Sequence, residues 1–418
     1  MDSMNNVSTT ENGQGSSERE IDSYSWKALL GSAVGYAMDG FDLLILGFML
    51  HTISADLNLT PTQSGSLITW TLIGAVVGGV IFGALSDRFG RVRILTWTIV
   101  LFAVFTGLCA FARGYWELLI YRTIAGVGLG GEFGIGMTLA AESWPARHRS
   151  RVSSYVAMGW QTGVLLAALL TPLLLPVIGW RGMFIVGIIP AFIAWFIRHR
   201  LHEPDVFVYH NIVHKPSILE SFRLLVKDKV TAKISLGIIV LTSVQNLGYY
   251  GIIIWMPSYL AKQLGFNLTT SAIWTTVTIL GMMAGIWIFG QIADRIGRKP
   301  SFILFQMGAA VSIVFYSQLT VPITMLWAGA LLGIFVNGML GGYGALISEA
   351  YPTAARATAQ NVLFNIGRGI GGFGPILIGT IATFYSFHLA ITLLASIYIM
   401  DIIATIYLIP ELKGNELN

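Results

Sequence analysis

The chain has 418 residues, of which 55% are hydrophobic and only 11% charged, where an ordinary soluble domain carries roughly 25% charged residues. A mean hydropathy of +0.70, with 12 Trp, 23 Phe and 47 Gly, excludes a soluble globular enzyme, a nucleic-acid-binding protein and a disordered chain. The formal charge of +4 does not reopen the nucleic-acid reading, because the basic residues follow a membrane pattern, and the single Cys109 excludes a disulfide framework within the chain.

Residues 1–24 are rich in Ser, Asn, Thr, Glu and Gly and lack the apolar run of a signal peptide, so they read as a disordered cytoplasmic tail. Apolar runs of the length that spans a bilayer, about 20 residues, can then be cut out twelve times. They lie near 27–50, 63–85, 92–112, 117–141, 152–176, 181–201, 232–256, 270–293, 301–320, 324–348, 358–384 and 387–409. With the N-terminus inside, 20 of the 25 Lys and Arg fall on the cytoplasmic side, Arg198 among them. Only Arg113, Arg181 and Lys262 fall outside, which is a strong positive-inside bias. Arg122 and Arg368 lie within spans. The expectation is a multi-pass inner-membrane protein, monomeric, with both termini cytoplasmic.

The segment Gly83-Ala-Leu-Ser-Asp87-Arg88-Phe-Gly90-Arg91 recurs as Gly290-Gln-Ile-Ala-Asp294-Arg295-Ile-Gly297-Arg298, 207 residues on. Glu142, Pro145 and Arg149 recur at the same offset as Glu349, Pro352 and Arg356. The chain therefore divides into two homologous six-helix bundles, 25–201 and 232–410, with a cytoplasmic linker at 202–231 and a tail at 411–418. Gly90 and Gly297 suit tight turns between antiparallel helices. Asp87 and Asp294 can meet basic residues or an exposed helix N-terminus. Glu142 with Arg149, and Glu349 with Arg356, can form matching charge pairs on the same face. Together with Arg88, Arg91, Arg295 and Arg298 these residues form either a static anchor at the membrane surface or a latch between moving halves; the latch is the expectation.

The doubled Gly-x-Leu-x-Asp-Arg-x-Gly-Arg type of loop resembles the signature of the major facilitator superfamily. So do Arg122-Thr-Ile-Ala-Gly126-Val-Gly128-Leu-Gly130 and the doubled Glu-x-x-Pro-x-x-x-Arg pattern. The resemblance covers nearly the whole chain. It implies an all-α membrane protein of twelve transmembrane helices in two six-helix bundles, with substrate held between them near the midplane and exposed to alternate sides as the bundles rock.

Ionisable side chains inside spans are costly and need a reason. The first span contains Asp39 and Asp42, three apart and therefore near one another on one helical face. The fourth contains Arg122 and Glu132, the eleventh Arg368 and the twelfth Asp401. Asp42 and Arg122 both lie on the outer side of their helix midpoints and are plausible partners, either as a neutralised structural pair or as a proton switch. Glu132 has no obvious basic neighbour in the sequence and is a second candidate proton carrier. Asp39, Asp42, Glu132 and Arg122 are the expected coupling set. Asp-Gly-Phe-Asp42 resembles the aromatic-acid:proton symporters, whereas Gly131-Glu132 followed by Glu142-Ser-Trp-Pro145 resembles the sialate- and lactate-type symporters. Both resemblances imply proton-coupled uptake.

Arg368 sits among glycines, and its planar fork suits a carboxylate. It is the expected anion-binding residue, the alternative being a partner for a buried acid of its own half. Asp401 is expected to serve helix packing. Asn246, at the 207 offset from Asp39, replaces a carboxylate by an amide, and Gln161 stands opposite Arg368 in the repeat. Gln161, Asn246, Tyr249, Tyr250 and Asn365 are further candidate substrate contacts, each equally able to be helix–helix glue. There is no phosphate-binding Gly-x-x-x-x-Gly-Lys motif, no His/Cys cluster for a metal and no nucleophile with a spaced base, so no catalytic residue, metal or cofactor is expected. The reading is a secondary active transporter that couples protons to a small carboxylate: a monocarboxylate, an aromatic acid or a sialic or sugar acid. A proton-coupled sugar or polyol transporter of the same fold is the alternative.

Overall fold

A computed structural model of the chain describes residues 21–199, 201–213, 217–264, 268–319 and 321–414. The expected tail at 1–24 lies outside the described residues up to position 20, and the tail at 411–418 from position 415. The first half holds α1 (Ser23–Asp56), α2 (Pro61–Phe89), α3 (Arg91–Cys109), α4 (Tyr115–Gly130), α5 (Glu132–Ser143), α6 (Arg149–Gly187) and α7 (Ile189–Arg198). Two short helices, α8 (Asp205–Val213) and α9 (Ile218–Leu224), follow. The second half holds α10 (Lys229–Leu264), α11 (Leu268–Ile296), α12 (Arg298–Ser317), α13 (Pro322–Gly338), α14 (Leu340–Ala350), α15 (Arg356–Gly371), α16 (Gly374–Phe384) and α17 (Phe387–Leu408).

Local chemistry sets the helix ends. The Asp22 carboxylate accepts from the Ser25 N–H at 2.8 Å and starts α1. Thr60 and Gln63 form a reciprocal capping box that starts α2. Gly90 (φ 115) and Gly297 (φ 109) adopt backbone angles that favour glycine, and they turn α2 into α3 and α11 into α12. Among the described residues ten stretches are long and apolar enough to cross a membrane. One of them, Ala146–Arg198, has 53 residues, about 80 Å of helix and twice a bilayer, and is broken at Gly179. The glycine-rich stretch after Arg368 splits another span into α15 and α16, of 16 and 11 residues, each too short to count alone. The ten stretches and the twelve expected spans are thus the same helices, divided differently.

The two halves pack alike. Helix α1 lies along α6 as α10 lies along α15, α2 along α4 as α11 along α13, and α12 along α17. The halves meet where α2 and α5 face α15, and where α6 faces α11 and α14. The Phe133 and Phe364 rings stack across this seam at 3.9 Å. Large apolar side chains such as Trp97, Leu173, Val311 and Trp327 point outward, which suits surrounding hydrocarbon and not water.

Candidate functional site

The end of the molecule that carries residues 23 and 411 is sealed by a charge network running from one half to the other. Asp87, at the end of α2, accepts from the N–H groups of Ala357 (3.1 Å) and Thr358 (2.8 Å) and from the Thr358 hydroxyl (2.6 Å), so it caps the N-terminus of α15. Asp294, at the end of α11, accepts from the N–H groups of Ser150 (3.0 Å) and Arg151 (3.2 Å) and caps α6 in the same way. Glu142 receives a two-pronged contact from Arg91, 3.1 Å at each oxygen, and one from Arg356 at 2.6 Å. Glu349 receives Arg298 at 2.6 and 2.9 Å and Arg149 at 3.3 Å.

The expected pairs Glu142–Arg149 and Glu349–Arg356 are therefore corrected to crossed pairs, Glu142–Arg356 and Arg149–Glu349. The reason is geometric. Arg149 and Arg356 open the helices that abut the opposite half, so their guanidinium groups reach across the seam. Arg88 and Arg295 stand outside the network: among the described residues neither forms an ion pair, and Arg88 lies beside the Phe89 ring.

Two members of this region were not singled out in the sequence. Glu203 accepts from the N–H groups of Arg91, Val92 and Arg93 at 2.7, 3.2 and 3.0 Å and caps α3. Burial pushes its carboxyl up from the ordinary range, against the lowering pull of those N–H groups. Glu411 accepts from the N–H groups of Arg298 and Lys299, both at 3.0 Å, and caps α12. Both glutamates follow the last helix of their half next to a proline, Glu203-Pro204 and Pro410-Glu411, which is a readable signal. Their separation differs by one residue from the 207 of the other motifs, so a fixed-offset comparison passes over it.

Within the first half, Arg122 grips Asp42 with two parallel bonds of 2.9 and 2.6 Å, both side chains fully buried, and its Nε reaches Thr71 at 3.4 Å. Glu132 is not without a basic neighbour. Arg198 bonds it at 2.8 and 3.2 Å and also donates to the Gly31 carbonyl, while Thr98 donates to Glu132 at 2.8 Å. Arg198, counted on the cytoplasmic side by sequence, is fully buried at the end of α7. A Cβ at Gly35 would run into both members of this pair, so glycine there lets the ion pair lie against α1.

The midplane site joins the two halves differently. Arg368 of α15 reaches Asp39 of α1 at 3.6 Å, a looser contact than any in the sealed network. Its Nε donates to the Tyr250 hydroxyl at 3.1 Å, and its guanidinium lies 4.8 Å from the Trp160 ring centre. Arg368 is thus not the partner of an acid in its own half; Asp401 accepts instead from Gln306 at 2.9 Å. Among the described residues, Asp39 Oδ1 and Arg368 Nη2 are buried without a hydrogen bond.

Tyr249 accepts from Trp160 Nε1 at 3.2 Å, and Asn246 donates to the Thr242 carbonyl at 2.8 Å. These side chains line a small void of about 10 Å³ with Tyr36, Gln245 and Asn337, the last two joined at 2.8 Å. The sequence offered no cue to Tyr36 or Asn337, since each is an ordinary residue on its own helix. Asn365 donates to the Asn361 carbonyl at 2.8 Å and lines a larger cavity of about 520 Å³ with Arg368 and Tyr250. A further cavity of about 210 Å³ is lined by Trp160, Tyr249 and Tyr250. Gln161 is fully buried beside Trp160 and outside the linings of these three cavities. Neither Asp42 nor Arg122 lines them either.

A chain that is sealed at one end, hollow at its midplane and doubled along its length has clear counterparts. The sequence model of the Major Facilitator Superfamily matches residues 32–316 and 238–417. The chain is 72% identical over 404 residues to a putative metabolite transport protein of Haemophilus influenzae, covering 96% of this chain and 99% of that one. It is 31% identical over 364 residues to a sialic acid transporter of Escherichia coli, covering 86% and 88%. Its fold matches that of a proton:xylose symporter with a TM-score of 0.80 at 20% identity, covering 95% and 98%. The chain belongs to the Major Facilitator Superfamily, as a multi-pass membrane transporter of metabolites with its helices in two six-helix bundles.

Proposed function

We propose that this transporter couples the entry of protons to that of a small organic anion by alternating access, as a monomer in the inner membrane with both termini in the cytoplasm. The observation that carries the reading is the Arg368–Asp39 contact across the bundles, at 3.6 Å, with one oxygen and one nitrogen left unused. A substrate carboxylate suits the planar guanidinium of Arg368, whose Nη2 is unused and whose Nη1 is only loosely held. It then competes with Asp39 for one guanidinium. Two carboxylates cannot share that charge at low cost, so anion binding draws a proton onto Asp39. The substrate and its proton are in this way held or released together. Tyr250, Tyr249, Asn246 and Asn365 complete the binding region, with Gln161 supporting it from outside the cavity linings, and the sialic acid relative agrees with an acidic substrate.

Asp42 and Arg122 provide a second, tighter pair in which a proton can replace the guanidinium when the bundles rock; Glu132 plays the same part against Arg198. The two bundles, 25–201 and 232–410, move about the site on the 202–231 linker. The crossed pairs Glu142–Arg356 and Arg149–Glu349, with Asp87, Arg91, Asp294 and Arg298, are the latch that closes the cytoplasmic end and parts when it opens. A sugar or polyol substrate has one observation in its favour: Arg368 already faces a protein carboxylate.

The test is uptake into liposomes holding the protein and a trapped pH dye, with empty liposomes correcting for weak-acid leak. Internal acidification on adding one class of carboxylate is the expected result. Acidification with neutral sugars alone overturns the anion reading and makes Arg368 a structural partner.

A further inference from the structure

Resting on the anion reading above, the space beside Arg368 has a character of its own. The cavity of about 520 Å³ runs between α2 and α15. Leu72, Ile73, Val76 and Val77 form one wall and Phe373 part of the other. Four polar side chains interrupt its lining, Thr69, Tyr250, Asn365 and Arg368: Asn365 donates to Asn361, Thr69 to the Gly65 carbonyl, and Tyr250 accepts from Arg368. Arg368 Nη2 has no hydrogen bond, on a residue 7% exposed. The neighbouring cavity of about 210 Å³ shares Leu72, Tyr250 and Gly372 with it and is otherwise walled by Leu43, Leu44, Ile68 and Ile253 together with Trp160 and Tyr249. Ile73 (42% exposed), Val77 (45%) and Phe373 (66%) continue the cavity wall onto the lipid-facing surface. The space thus offers one charge and a few polar groups among walls that are otherwise hydrocarbon.

We infer that the transported anion carries a hydroxyl-poor apolar body, which lies between α2 and α15 with its carboxylate on Arg368, and that Leu72, Val76 and Gly369 set its size. A polyhydroxylated acid would bury most of its hydroxyl groups against aliphatic walls that offer them few partners. Gly369 lines this cavity, and a Cβ added there meets nothing within 4 Å, so a side chain at this position grows into empty space.

The experiment measures the apparent affinity of the full-length protein in liposomes for a series of unbranched and aromatic monocarboxylates, beside sialic acid and gluconate. Affinity is expected to rise about fourfold per added methylene until the cavity fills, with sialic acid and gluconate at least tenfold weaker than an apolar acid of similar length. Gly369→Leu, and separately Val76→Phe from the opposite wall, shrink that length dependence at least tenfold in proteins that still elute as a single species. A flat series, or one led by the hydroxylated acids, overturns the inference and leaves the anion reading standing. Such a series also fits a lipid chain occupying the cavity. A response to neutral sugars and to no carboxylate overturns both.

Discussion

The sealed end and the midplane are built from the same residue types, Asp, Glu and Arg, and differ in how many short contacts those charges make. At the sealed end Glu142 accepts three donors and Asp87 three, and the two acidic caps Asp87 and Asp294 mirror one another across the seam. At the midplane the Arg368–Asp39 pair between the bundles is 3.6 Å long and leaves a carboxylate oxygen and a guanidinium nitrogen idle. A densely bonded network holds a conformation; a loosely bonded one has capacity for a third charge. The repeat tells the same story. The sealed end obeys it, with Glu142 and Glu349 each between two arginines. The midplane breaks it, with Asn246 standing where the first half has Asp39 and Gln161 where the second has Arg368. Symmetry is kept where the halves must grip alike and lost where one substrate must be bound one way round.

Substitutions can break this contrast in order of effect. Asp39→Asn should abolish accumulation against a gradient while counterflow exchange persists, with a smaller loss of thermal stability than any change in the sealed network. Concentrative uptake surviving in this variant would move the coupling elsewhere, and the same assay on Asp42→Asn asks whether the tighter pair carries it. Glu142→Gln leaves Arg91 and Arg356 buried against a neutral amide. It should cost about 3–5 kcal/mol, read as a fall in melting temperature, with new labelling of a cysteine placed at the sealed end. Unchanged melting would make the network ornamental. Arg368→Lys keeps the charge and loses the fork. Substrate affinity should drop at least about tenfold, or about 1.4 kcal/mol, and full affinity would refute recognition by the guanidinium plane. Smallest, Glu203→Ala and Glu411→Ala should each lower stability by about 1 kcal/mol, and by similar amounts, because each removes the cap of the equivalent helix. Strongly unequal losses would show that the linker glutamate does more than cap α3.

Much of this molecule was readable before its fold. The spans, the doubled motifs and the buried ionisable residues follow from composition along single segments, and Asp42 and Arg122 could be matched by depth alone. The errors share one cause. Arg198 looked like a basic residue of a connection, yet Glu132 and the Gly31 carbonyl hold it inside the bundle. Glu142 looked like the partner of nearby Arg149, yet it meets Arg356 of the other half. Asp39 and Arg368, each noticed alone, turned out to face one another. Glu203 and Glu411 escaped because one residue of slippage hides a shared role.

What the sequence by itself determined is which segments prefer hydrocarbon to water and which motifs are copies, since both depend on a segment and its solvent. Which charge meets which was decided only by the tertiary structure, where α2 and α5 press against α15 and α6 against α11 and α14. An ion pair inside a membrane forms with whatever counter-charge the packed surfaces bring within about 4 Å, and chain position carries no record of that distance.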